Sequence, residues 1–141
     1  MEVADVMSSE VEFIAPDASV QQAAEMMGEL DVGALPVGHA ADLQGVVTDR
    51  DLLYRVVAEG RDPAAMRVRD AMTAPALCCR PGDDIRAAMD LMASQNVRRL
   101  GVQDTSGRVV GWVTLADLSR RLLLDSEAVQ QVLREATEPQ A

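Results

Sequence analysis

The chain has 141 residues, 48% of them hydrophobic, and a formal charge of −10 at neutral pH, enough for one compact domain or two intimately packed halves that bury roughly two thirds of the unfolded surface. That acidity argues against a broad nucleic-acid or anionic-membrane surface, because neutralising phosphates takes a basic face; local arginine clusters still suit one small anion. No apolar stretch is long enough to span a bilayer and no basic segment leads into an apolar run at the N-terminus, so the cytoplasm is the expected compartment.

In chain order, Glu12 to Ile14 reads as a short strand ended by Ala-Pro-Asp. Ser19 or Asp17 then caps a helix whose apolar positions Val20, Ala23, Ala24 and Met27 follow the i, i+3, i+4, i+7 rule. An apolar run from Val32 to Val37, a turn at Gly38-His39 and a second run from Leu43 to Thr48 form a hairpin. A helix from Asp49 to about Glu59 carries Leu52, Val56 and Val57, and Glu59 to Pro63, with Gly60, is a linker.

The pattern then repeats at a spacing of 65 residues, the distance from Val3 to Val68. Val-Ala-Asp-Val-Met at 3–7 becomes Val-Arg-Asp-Ala-Met at 68–72, and Pro16, Val20, Ala23, Met27, Val32, Leu35 and Val37 return as Pro81, Ile85, Ala88, Met92, Val97, Leu100 and Val102. Cys78 and Cys79 sit in a strand that sends their side chains to opposite faces, which suits two reduced structural thiols. The helix at Ile85, Ala88, Met89 and Met92 matches the first; a turn at Asp104 to Gly107 separates Val97–Val102 from Arg108–Thr114, and the last helix of the repeat carries Leu118, Leu122 and Leu123. Ser126 caps an extra helix with Val129, Val132 and Leu133, whose stripe needs either its own module or a second subunit.

The expectation is an α/β (α+β) fold of two motifs, residues 1–62 and 63–124, each strand-helix-strand-strand-helix, packed with pseudo-twofold symmetry and followed by a helical tail at 125–141. Function then belongs where the halves meet.

Gly-Val-Val-Thr-Asp-Arg-Asp at 45–51 and Gly-Trp-Val-Thr-Leu-Ala-Asp at 111–117 share one form. Each sets a hydroxyl where strand becomes helix and a carboxylate one turn in. Thr-x-x-Asp is also a helix cap, with the acid favoured at the positive end. Both roles are compatible, because a carboxylate beside a hydroxyl accepts from the vicinal diol of a ribose and free first-turn amides seat a phosphate. Catalytic candidates are poor. His39 is the sole imidazole, too few for a histidine metal site or a triad. Asp49 and Asp51 are two apart on a helix and do not face each other, and Asp83-Asp84 reads as helix N-terminal acid. No phosphate loop, Cys-x-x-Cys or nucleophile elbow occurs, so an enzyme is not expected.

The ordered duplicate of the Met7 and Met72 segments, the strands 31–37 and 96–102 and the two Gly-x-x-Thr-x-x-Asp units resembles the CBS domain family, named after cystathionine β-synthase, whose tandem pairs form the Bateman module. The resemblance covers residues 3–124 and implies a non-enzymatic module with adenosyl ligands in clefts built from both repeats. It assigns Thr48, Arg50 and Asp51 with Ala74, Val97, Arg98 and Arg99 to one cleft. Thr114 and Asp117 fall with Ser9, Val32, Gly33 and Ala34 in the other.

The expected ligand is an adenine nucleotide, AMP or ATP first, then NAD or S-adenosylmethionine. Arginine forks suit phosphate, so the Thr48/Asp51 cleft is expected to prefer a nucleotide. The other, which lacks a base unless Arg120 or Arg121 turns inward, is expected to be weak, empty or nucleoside-selective. Gly101, where the first repeat has Pro36, is expected to loosen its strand. The resemblance also implies a flat, disk-like homodimer, and the expected output is a signal passed to an effector protein or to the protein's own assembly state. The alternative is a CBS-pair scaffold or stress protein that binds no nucleotide.

Overall fold

The computed structural model describes residues 1–137. The tail expected at 125–141 is described only to that point; its residues 138–141 lie outside the described residues.

After a 3₁₀ turn at Val3–Asp5, helix α1 (Val20–Leu30) begins at Ser19, whose hydroxyl accepts from the Gln22 amide while the Gln22 side chain accepts from the Ser19 amide. It ends on Asp31 in the left-handed region, φ 55°, as α4 (Ile85–Gln95) ends on Asn96 at φ 54°. Asp and Asn tolerate that conformation better than most residues with a Cβ. Strands β1 (Ala34–His39) and β2 (Asp42–Thr48) form an antiparallel hairpin. Its tight turn is Ala40-Ala41, two residues later than the sequence suggested. Gly38 makes a bulge instead: its φ of +120° suits glycine, and a side chain there would strike the Asp42 carbonyl.

Helix α2 (Asp49–Leu52) widens into a π turn at Leu53–Val57. A short α3 (Val68–Ala71) opens the second repeat, followed by β3 (Cys78–Cys79), α4, β4 (Arg99–Gln103), β5 (Val109–Thr114) and α5 (Leu115–Asp125). Strand β3 lies parallel to β4, which pairs antiparallel with β5. Helix α6 (Glu127–Thr137) follows, with the Ser126 hydroxyl accepting from the Val129 amide.

The strand expected at Glu12–Ile14 is reduced to a single bridge between Ile14 and Val37. The cause is one atom. In the second repeat the Gly101 N–H donates to the Leu77 carbonyl at 3.0 Å; its counterpart is Pro36, which has no N–H to offer Glu12. Gly101 therefore extends its ladder, contrary to the loosening expected, and the space of a side chain is taken by Cys78 Sγ and Leu43 at 3.0 and 3.1 Å.

The two cores are exchanged at their edges. Val3, fully buried, packs with Cys79, Ile85, Ala88, Met92, Leu100 and Leu118 of the second repeat, and Val68 packs with Ile14, Ala23, Met27, Leu35, Val37 and Val47 of the first. Backbone bonds cross in matching fashion: Val3 and Ala4 donate to Asp83 and Pro81, and Val68 and Arg69 donate to Ala18 and Pro16. Each repeat is thus completed by the other's opening turn. Ala24, expected in the core, is exposed, because Val20, Ala23 and Met27 form the buried stripe and Ala24 falls at its margin. Val57 and Leu123, expected on core stripes, are also exposed. Both cysteines are free, with Cys79 in the core and Cys78 half-buried opposite Gly101. Burial, with Asp83 and Cys78 nearby, pushes the Cys79 thiol up to about 11.

Candidate functional site

The opening segment of each repeat runs on across the other repeat's Gly-x-x-Thr unit. Thr73 pairs with Val46 and Ser8 pairs with Trp112. Glycine is needed at both crossings: a Cβ on Gly45 would lie 2.6 Å from the Thr73 carbonyl, and one on Gly111 would meet the Met7 thioether. The two clefts are therefore built alike. Their occupants differ.

On the Thr48 side the polar groups satisfy one another. Thr48 Oγ1 accepts from the Asp51 amide, and Asp51 Oδ2 accepts from the Thr48 amide, each at 3.0 Å. The same carboxylate accepts from the Thr73 hydroxyl at 3.2 Å and lies 4.0 Å from Arg55 Nε. Arg55 in turn donates to the Ala71 and Met72 carbonyls at 3.0 and 2.8 Å, tying the π turn after α2 to the end of α3. The Asp51 side chain is only 11% exposed.

The arginines expected here are elsewhere. Arg50 lies over the Tyr54 ring, 5.4 Å from its centre, Arg98 is exposed, and Arg99 reaches the opposite cleft. Val97 packs on the second core, and Ala74 covers Gly45. Thr48 and Asp51 are thus brought together with the second repeat through Thr73, one residue before the expected Ala74.

On the Thr114 side a cavity of about 520 Å³ opens between the repeats. Val32, Gly33 and Ala34 of the first repeat line it together with Trp112, Thr114 and Asp117 of the second. Ser8, Glu10, Val11 and Glu12 cross its rim, and Arg99 enters beside Thr114, its strand neighbour. Five of the six expected residues are here; Ser9 is replaced by Ser8. Thr114 caps α5 by accepting from the Asp117 amide at 3.1 Å, but the Asp117 carboxylate does not return the bond. It is 40% exposed and, among the described residues, paired only with the surface Arg120 at 3.4 Å.

The difference has a local origin. Ser8 occupies the place of Thr73, yet its hydroxyl donates to the Glu10 carbonyl at 3.4 Å instead of to Asp117. Arg121 occupies the place of Arg55, yet it pairs with Asp125 at 3.8 Å. Neither Arg120 nor Arg121 lines the cavity, but a base is present all the same, Arg99. Arg99, expected on the Thr48 side, therefore lies in the Thr114 cavity. Sequence reasoning also missed Trp112, although strand alternation puts residue 112 on the face of Thr114.

The cavity has the size of a small-molecule site. It combines an indole face, a helix N-terminus, a capping hydroxyl and an available carboxylate, which together accept hydroxyl donors and a flat ring. No group of three or more metal-ligating side chains gathers among the described residues, and His39 is the last residue of β1. No helix among the described residues is long and apolar enough to cross a membrane.

The chain is similar to known proteins. The CBS domain-containing protein YhcV of Bacillus subtilis is 36% identical over 117 residues, 83% of this chain and 82% of its own. Hypoxic response protein 1 of Mycobacterium tuberculosis is 30% identical over 138 residues, 97% of this chain and 94% of its own. The structure of a putative signal-transduction protein with CBS domains from Burkholderia ambifaria aligns with a TM-score of 0.83 at 28% identity, covering 90% of this chain and 97% of that one. The family model for the CBS domain matches twice, over residues 3–58 and 68–124, and the chain therefore belongs to the CBS-domain family as a tandem pair.

Proposed function

We propose that this CBS pair is a non-enzymatic regulatory module that binds an adenine nucleotide or nucleoside in the Thr114/Asp117 cleft and passes its occupancy to an effector protein or to its own assembly state. The observation that carries this reading is the solvent-accessible Asp117 carboxylate, held only by the exposed Arg120 among the described residues and lining a cavity of about 520 Å³ between the repeats, whereas its twin Asp51 is taken up by Thr73 and the Thr48 amide. In the proposed complex Asp117 accepts the ribose diol, while the adenine lies between Trp112 and the Val32–Ala34 segment. The ligand bridges two repeats that exchange their opening turns, so binding favours one relative arrangement of the halves; that differential affinity is what a signal requires.

The output surface in this proposal is apolar. Leu53, Tyr54 and Val57 after α2, Leu123 and Leu124 on α5, and Val132 and Leu133 on α6 are exposed, more apolar surface than isolated side chains explain. Covering it with a second copy gives the disk-like homodimer, α6 included. The proposal places the protein in the cytoplasm, where its two free thiols stay reduced.

A thermal-shift series with AMP, ADP, ATP, NAD and S-adenosylmethionine tests the reading, because a ligand of the native state raises the melting temperature as its concentration passes Kd. A rise that disappears in Asp117→Ala supports it. Silence across the series favours the second reading, a scaffold acting through its apolar face, for which the closed Asp51 side is the supporting observation.

A further inference from the structure

We infer that the Thr114/Asp117 cleft selects an adenosyl ligand whose remaining substituent is neutral or positively charged, and disfavours nucleoside di- and triphosphates. The inference rests on the adenosyl reading above and narrows it to a ligand class.

The charges around the cavity carry it. Glu10 and Glu12 on the crossing segment, Asp31 at the end of α1 and Asp117 on α5 all line it, against a single guanidinium among the described residues, that of Arg99. Arg99 is itself partly offset. A Cβ built on Gly33 would lie 3.4 Å from an Arg99 terminal nitrogen and 3.0 Å from Asp49 Oδ2, so a sixth charged group, again a carboxylate, stands beside the one cation. The partial positive charge of the α5 N-terminus, which would otherwise attract a phosphate, already faces Asp117 in its first turn. Arg120 is engaged with Asp117 and lies outside the lining.

The chain's net charge of −10 adds a long-range field of the same sign. A triphosphate entering this space meets several like charges and one partly neutralised cation. A nucleoside meets only the hydrogen-bond acceptors and the indole, and a sulfonium or ammonium tail is attracted to the rim. Like charges about 7 Å apart in a partly wet cleft separate affinities by roughly tenfold.

The test titrates the full chain with adenosine, AMP, ATP and S-adenosylmethionine, reading Kd by calorimetry at low and high salt. Adenosine and S-adenosylmethionine are expected to bind at least about tenfold tighter than ATP at low salt, and the gap to narrow as salt shortens the Debye length. The double variant Glu10→Gln/Glu12→Gln, whose two exposed side chains make no hydrogen bond or ion pair within the described residues, is expected to improve ATP binding several-fold relative to adenosine. ATP binding as tightly as adenosine, or a double variant that leaves their ratio unmoved, overturns the charge inference and leaves the adenosyl site standing. No binding by any of the four overturns the adenosyl reading itself, and the inference falls with it.

Discussion

Replacing Asp51 and Asp117 separately by alanine puts the inequality of the two clefts to a direct measurement. Asp51 accepts the Thr48 amide at 3.0 Å and the Thr73 hydroxyl at 3.2 Å, close to Arg55 and with its side chain 11% exposed. Losing two hydrogen bonds to a largely buried carboxylate, and leaving Arg55 without its neighbour, costs roughly 2–3 kcal/mol. In a domain of this size that lowers Tm by roughly 6–12 °C.

Asp117 has one surface ion pair at 3.4 Å, with its side chain 40% exposed, and a place in the first turn of α5; its loss costs about 0.5 kcal/mol, a shift of about 2 °C. Thermal and urea unfolding of both variants supply these numbers, and a ligand titration on each completes the comparison. Asp117→Ala is expected to abolish the adenosyl response, whereas Asp51→Ala retains it at reduced stability. Equal destabilisation, or a response lost only in Asp51→Ala, would refute the assignment of one carboxylate to structure and the other to ligand.

Four further outcomes follow from packing and titration. Val3→Ala and Val68→Ala each remove a fully buried side chain from the core of the opposite repeat and are expected to cost about 2–3 kcal/mol in chemical denaturation. A fragment of residues 1–62 lacks Val68 and is expected to show no cooperative unfolding by circular dichroism. Gly45→Ala drives a Cβ to 2.6 Å from the Thr73 backbone carbonyl, whereas Gly111→Ala meets chiefly the flexible Met7 side chain; the first is expected to lower Tm by several degrees more than the second. Because burial raises the Cys79 thiol from 9.0 to about 11, its stabilising contribution is intact below pH 9.0 and is lost as pH rises towards 11, on the order of 2 kcal/mol; Cys79→Ala flattens that part of the stability profile.

The amino-acid sequence by itself determined what depends on neighbours along the chain. The repeat, the periodic helices, the caps at Ser19, Thr48, Thr114 and Ser126 and the presence of two hairpins follow from spacing, and the Thr-x-x-Asp units marked the two places where strand becomes helix between the halves. It did not reveal that Pro36 would cut the first strand to one bridge, since that depends on which carbonyl lies opposite a missing N–H. Nor did it reveal the exchange of Val3 and Val68 between cores.

Only the tertiary structure decided which carboxylate stays available. Asp51 and Asp117 have the same local context, and their fates part because Thr73 and Arg55 turn toward one whereas Ser8 and Arg121 find other partners. Arg99, the first residue of β4 and the neighbour of the exposed Arg98, reaches the cavity that Arg98 and Leu100 do not line. Spacing determines where a backbone places a side chain; which way a long polar side chain turns is decided by the competing partners that folding brings within a few ångströms of it.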